Sequence, residues 1–326
     1  MSHDPSGRPG RDGARVLGPD LVLGVDLGGT KVRAAIADGS GAVLAEMTVA
    51  TDARGGRHVV EQIAVLARSL TDSAGGTTAR VHATAVGTPG VPDAQSGTLG
   101  LSPNVDGLAA VSLRDELADR LGHPVVLDND VTAAAVGERW AGSARGCEDF
   151  VFVAVGTGIG MGIVSGGRVL RGAHGAAGEI GYLPLGTDPF DPVNQHRGAL
   201  EEATAGEKVA ARFRAATGTR ISTREVFDLA AQGVPAAVSV VAEHGRYLAL
   251  AITAVTAVLD PALVILGGGV GSRPELLDPV RAGLAELGKA PAEVRTSALG
   301  NRASVVGALN LALSAARLGP DWEDHR

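Results

Sequence analysis

The sequence predicts an α/β fold, on three observations. Strand-like apolar runs are mixed with helix-period segments along the whole chain. Three of those runs end in glycine-rich turns, within 26–31, 156–160 and 267–269. The pattern strand, turn, strand, turn, strand occurs twice, over 22–49 and 150–170, which hints at an internal duplication.

Residues 1–20 are polar and rich in Gly, Pro and Arg, and read as a disordered tail. From Leu21, LVLGVDLGG is a buried strand ending in a glycine turn. Strands 31–37 and 42–49 follow as a meander, joined through Asp38-Gly39-Ser40-Gly41. Val59, Val60, Ile63, Leu66 and Leu70 recur at helical spacing, so 57–73 is an amphipathic helix. A strand over 80–86 ends in the turn-rich GTPGVPD. A helix over 112–121, a short buried strand over 124–127 and a helix from Asp130 to about Ala141 come next. The second unit has strands at 150–155, 160–165 and 168–170. A mainly helical stretch covers 200–259. The chain then closes with a strand over 262–266, a helix over 275–287, a short strand over 293–298 and a helix over 303–317.

Composition removes several classes. Glycine supplies 47 of 326 residues, about twice the average share, but without the every-third period of a collagen. A chain that is 45% hydrophobic and 20% charged is not disordered. A net charge of −7 with no Lys/Arg tract speaks against a nucleic-acid partner. A single cysteine, Cys147, excludes an intrachain disulfide and a multi-cysteine zinc site, and suits a reducing cytosol. The first 20 residues lack the apolar core of a signal peptide. The longest apolar run, 248–259, stops at Asp260-Pro261, short of the roughly 20 residues a membrane span needs. A soluble, cytoplasmic protein is expected.

The glycine turns carry the first chemical signal. Glycine after a strand lets backbone N–H groups approach an anion with no Cβ in the way. One such turn is common in any α/β protein. Three, with Asp26, Thr30 and Lys31 built into the first and Thr157 into the second, point to phosphate. The nearest match to a P-loop, from Gly283 to Lys289, lacks the terminal Ser/Thr and lies on a predicted helix. Next comes Asp128-Asn129-Asp130 at a strand end, where α/β sites gather. Asp130 is either a helix N-cap or a reactive carboxylate. Asp128 caps or orients. Glu179, among the glycines and alanines of 175–181, is either a solvated turn residue or a ligand to hydroxyls. Asn104, in SPN, reads alone as a turn residue.

The order DLGGTK, GTPG, SPN, DND with Gly137-Glu138 behind it, GTGIG, HGAAGEIG and LGGG resembles the ROK family of glucokinase-like sugar kinases and sugar-sensing repressors, from about Leu21 to Ala316. The resemblance implies a two-domain actin-like ATPase (ribonuclease H-like) fold with a hinged cleft. Its small domain would span 21–137 and its large domain 138–302, with a helix from 303 packing back on the first. It implies ATP and Mg²⁺ as cofactors. Phosphates would lie between Asp26, Gly28, Gly29, Thr30, Lys31 and Gly156, Thr157, Gly158, with adenosine near Gly268 and Gly269. Asp26 would sit by the metal. Sugar hydroxyls would be held by Asn104, Asn129, Asp130 and Glu179, with Asp130 as general base. A homodimer is the implied assembly. DNA binding is not expected, because ROK repressors carry some 60 to 80 residues before the first glycine motif and only 20 precede Leu21 here.

The chain departs from the family in places. Relatives read GEIGH, with a His that touches sugar and binds zinc; here the position is Tyr182, which offers its hydroxyl on a longer arm. Three zinc cysteines are replaced by Pro192, Asn194 and Ala199, with Arg197-Gly198 and Leu200-Glu201 keeping the register. His174 and His196 alone make no tetrahedral site, so no structural zinc is expected. Leu108 or a neighbour replaces a Trp, and Thr132 an Asn, near the substrate. Glucose is the default acceptor, and the altered pocket leaves room for an N-acyl hexosamine or a C7-cyclitol.

Overall fold

The computed structural model describes residues 20–77, 80–93, 96–100, 107–108, 111–288 and 292–319. Asn104 and nearly all of the expected tail lie outside them. Asp20, counted with that tail, faces His82 at 2.9 Å.

In the first half, β1 (Leu21–Leu27), β2 (Lys31–Asp38) and β3 (Val43–Ala50) form the meander, followed by α1 (Gly56–Ser73), β4 (Val81–Thr88), β5 (Val91–Pro92), β6 (Leu99–Gly100), α2 (Leu113–Leu121), β7 (Val125–Asn129) and α3 (Asp130–Ala141). The sheet runs β3-β2-β1-β4-β7. The strands β1, β4 and β7 are parallel, with Asp26 opposite Gly87 and Gly87 opposite Asp128. Their carboxyl ends therefore share one edge, where Asp26 and Asp128-Asn129-Asp130 gather.

The second half opens with β8 (Phe150–Val155), β9 (Ile159–Ser165) and β10 (Arg168–Val169). A helical stretch follows: α4 (Pro192–Gln195), α5 (Ala199–Thr204), α6 (Gly206–Thr217), α7 (Thr223–Ala231) and α8 (Pro235–Leu259). Then come β11 (Leu263–Gly267), α9 (Gly268–Gly271), α10 (Pro274–Glu286), β12 (Glu293–Thr296) and α11 (Ala303–Leu318). The sheet order β10-β9-β8-β11-β12 repeats that of the first sheet, antiparallel meander and parallel additions alike. The duplication hinted at in the sequence is thus present in the topology.

Apolar residues settle on the faces the pattern assigned. Val59, Val60, Ile63 and Leu70 of α1 pack with Leu23, Val25 and Ile36 of the first sheet. Its other face is covered by α11, where Val305, Leu309 and Ala312 meet Val22, Ala35 and Ala85. Helices α3 and α11 cross at backbone distance: a Cβ on Gly137 would strike the Ala303 carbonyl, and one on Gly307 the Ala133 carbonyl. The C-terminal helix thereby packs on strands from the first half of the chain.

Four local differences from the sequence reading have simple causes. The turn-rich segment after β4 includes a two-strand ribbon, Val91–Pro92 with Leu99–Gly100. The third glycine run is the start of α9, because Gly268, at φ +78°, leads the chain straight from β11 into a turn of helix. Leu108 lies in the first core, fully buried with Leu99, Leu113 and Leu117. The apolar run 248–259 is only the end of α8, whose 25 residues are long and apolar enough to cross a membrane by length and composition. Half of that apolar window is buried, and the helix packs against α10, α7 and α6.

Candidate active site

Asn129, and not Asp130, caps α3. Its Oδ1 accepts from the Val131 and Thr132 amides at 2.9 and 3.1 Å, and its Nδ2 donates to the Gly90 carbonyl at 3.0 Å. Adjacent Asn and Asp are equally good caps, so sequence alone could not choose between them. Asp130 is thereby the first residue of α3 and not its cap. Its Oδ1 accepts from the Val131 amide at 2.8 Å.

Four carboxylates are coupled electrostatically here: Asp26 and Glu179 to Asp130, and Glu201 to Glu179. Burial pushes the Asp130 carboxyl up to about 7, helped by the negative charges of Asp26 and Glu179. Asp26 is raised by burial, against the opposing pull of Ser304 and Arg33. Glu179 is raised by burial and by Glu201. Each member therefore feels the next. Burial and like-charge repulsion both favour the protonated forms of these groups.

Glu179 reaches this group because its arm lies flat on β9. Gly178 has φ +99°, and a Cβ there would run into the Met161 carbonyl. The Gly178 carbonyl accepts from the Met161 amide at 2.9 Å. No larger residue permits that approach. Tyr182, one short turn further on, is 51% exposed. Thr132 is buried behind the cap.

Glycine turns flank this group. In the first, the Gly28 amide donates to the Lys31 carbonyl at 2.9 Å, and Thr51 holds the turn through Oγ1 to the Gly28 carbonyl (2.7 Å) and through its amide to the Thr30 carbonyl (3.1 Å). The second turn is held from outside its hairpin. Arg197 Nη2 donates to the Thr157 carbonyl at 3.0 Å, and the Gly206 amide donates to the Gly156 carbonyl at 2.7 Å. Glu201 Oε2 accepts from the Ile159 amide at 3.0 Å, and its Oε1 accepts from Arg197 Nε at 2.9 Å. The Gly158 carbonyl accepts from the Gly156 amide at 2.9 Å within the turn, while the Gly156 and Thr157 carbonyls are held by Gly206 and Arg197. The third run lies beside it: a Cβ on Gly156 would sit 3.8 Å from the Gly269 amide nitrogen.

Glu201 and Arg197, which the sequence showed only as register markers, are the side chains that hold the second turn. The charge at Glu201, among replaced metal ligands, was the available signal. Around the replaced ligands, Asn194 Nδ2 donates to the Asp188 carbonyl at 2.9 Å, and Asp191 caps α4 through the Val193 amide at 3.0 Å. The described residues contain no cluster of three His, Cys, Asp or Glu arranged for a metal. His174 and His196 are both exposed.

The twin sheets, the glycine turns and the carboxylates between them define an actin-like ATPase fold, as the motifs implied. The ROK family model matches residues 22–315, and the chain belongs to the ROK family. The glucokinase of Streptomyces coelicolor is 31% identical over 315 residues, covering 90% of this chain and 97% of that protein. The structure of a ROK hexokinase from Thermus thermophilus is 36% identical with a TM-score of 0.74, covering 89% of this chain and 96% of that one. A ROK family glucokinase from Streptomyces griseus, solved in complex with glucose and AMPPNP, is 29% identical with a TM-score of 0.76, over 89% and 98% of the two chains.

Proposed function

We propose that this chain is an ATP-dependent kinase for a primary hydroxyl of a hexose, with glucose the first acceptor to test. The observation that carries the reading is Asp130: half-buried at the first position of α3, which Asn129 caps, and raised toward neutrality by burial beside Asp26 and Glu179. A sugar hydroxyl is a poor nucleophile at neutral pH. Asp130 takes its proton as the hydroxyl oxygen attacks the γ-phosphorus and the bond to the β-γ bridging oxygen breaks, releasing ADP. Glu179 and Asn129 orient the acceptor. The turns at 28–31 and 156–158 hold the phosphates through backbone N–H groups, and Gly268-Gly269 lies where adenosine packs. Mg²⁺, held beside Asp26, offsets charge on the phosphate oxygens when bound. The halves on either side act as domains that close on the acceptor and exclude water.

Supporting the kinase class are relatives named as glucokinases and a hexokinase. Tyr182 in place of the family's His favours a test beyond glucose, because a half-exposed phenol shapes the pocket rim differently. The hydrogen-bonded loop at 188–198 supports a fold that needs no zinc, and a homodimer is the assembly proposed. The deciding experiment is an ADP-release screen over hexoses, N-acyl hexosamines and cyclitols, with Asp130→Ala as control. Turnover by wild type that the control lacks is expected. No acceptor turned over above the control would sink the kinase reading.

A further inference from the structure

An ion pair joins the two arms that carry the acceptor site. Arg171 follows β10 and opens the segment that ends in Glu179. Its Nη2 donates to Asp128 Oδ2 at 2.5 Å, and its Nε lies 3.4 Å from Oδ1. Asp128 is 4% exposed and sits on β7, two residues before Asp130. Its Oδ1 also accepts from the Asn129 amide at 3.0 Å, so the same carboxylate sets the backbone entering α3. On the other side, the Arg171 carbonyl accepts from the Ala177 amide at 3.0 Å, closing the loop before Gly178 and Glu179. That loop touches the first half again where a Cβ on Gly175 would meet Val91 at 3.1 Å.

We propose that Arg171 is a positioning residue, whose pair with Asp128 clamps the Glu179 arm to the strand end that presents Asp130. The spacing between Glu179 and Asp130 then depends on a planar, two-point contact that lysine reproduces only in part. Arg171 touches neither acceptor nor phosphate in this scheme. It acts through Asp128 and the loop backbone.

The kinetic arm of the test rests on the kinase reading; the exchange arm does not. In Arg171→Ala, the acceptor KM is expected to rise and kcat to fall about tenfold each, while the KM for ATP stays within about twofold. Arg171→Lys should recover part of the loss. Arg171→Ala takes the guanidinium away from the buried Asp128 carboxylate and is expected to melt lower. Adding Asp128→Asn removes that charge, so the double variant should regain melting temperature yet keep the raised acceptor KM. Acceptor KM recovering in step with stability would overturn the assignment. So would a rise in the KM for ATP equal to that for the acceptor. Backbone amide exchange needs no substrate: the 172–181 segment should exchange faster in the double variant than in wild type, and unchanged exchange there contradicts the clamp. No turnover by wild type on any acceptor counts against the kinase reading, and the exchange result still decides the clamp.

Discussion

The chain carries two versions of one glycine turn, and they are held in different ways. The turn between β1 and β2 is fixed by its own hairpin and by Thr51 just after β3. The turn between β8 and β9 has its own bond, from the Gly156 amide to the Gly158 carbonyl, and is held in addition from outside, by Arg197, Glu201 and Gly206 of the segment that follows β10. Both begin from the same strand order. The difference lies in what was placed after the meander: one helix in the first half, and in the second the Glu179 arm and α4 to α8. Glu201 belongs to both tasks there, gripping the Ile159 amide and acting on Glu179. The second turn is thus tied to Glu179 through Glu201, whereas the first meets Asp130 through Asp26.

Gly158→Ala tests this difference most severely. A Cβ at Gly158 would run into the Glu201 carboxylate, whereas one at Gly28 would sit 3.2 Å from the Lys31 carbonyl. Steady-state kinetics should show kcat/KM for ATP down about 100-fold in Gly158→Ala and about threefold in Gly28→Ala. Equal losses would mean that the clamp adds nothing to the second turn. Arg197→Ala is milder, because Glu201 and Gly206 still hold two of the three backbone groups. The KM for ATP should rise about tenfold. An unchanged value would remove Arg197 from the account.

Asp130 offers a smaller effect, read in stability. Its carboxyl moves from 3.8 to about 7 on folding, so the folded chain binds this proton more tightly than the unfolded one. The stability from that proton is fully present below about pH 4 and is lost as pH rises through about 7. Asp130→Asn escapes the loss. At pH 8 it should melt about 2–4 °C above wild type, with the gap closing toward pH 4. A variant less stable than wild type at pH 8 would show the carboxylates to be better compensated than the repulsion among them implies.

Much of the fold was legible because its signals are local. The period of α1, the apolar strands and the glycine turns each show within a short window, and the repeated meander shows on comparing two such windows. The site was legible in part for the same reason: Asp26, Asp130 and Glu179 each stand beside a turn or strand end. What escaped depends on distance along the chain. Arg171 meets Asp128 from 43 positions away, and Glu201 meets Ile159 from 42. No window contains either pair. The cap on α3 escaped for the opposite reason, since two neighbouring residues satisfied one rule and only the backbone angle decided for Asn129.

The central claim is that Asp130 takes the proton from the acceptor hydroxyl. The direct measurement is kcat/KM for the acceptor against pH, for wild type and Asp130→Asn, between pH 5 and 9. Wild type should lose activity tenfold per pH unit on the acid side, with a midpoint at or below about 7, because bound Mg²⁺ favours the carboxylate. Asp130→Asn should be about 10³-fold slower and without that limb. A limb that survives in Asp130→Asn, or a variant as fast as wild type, would contradict the account.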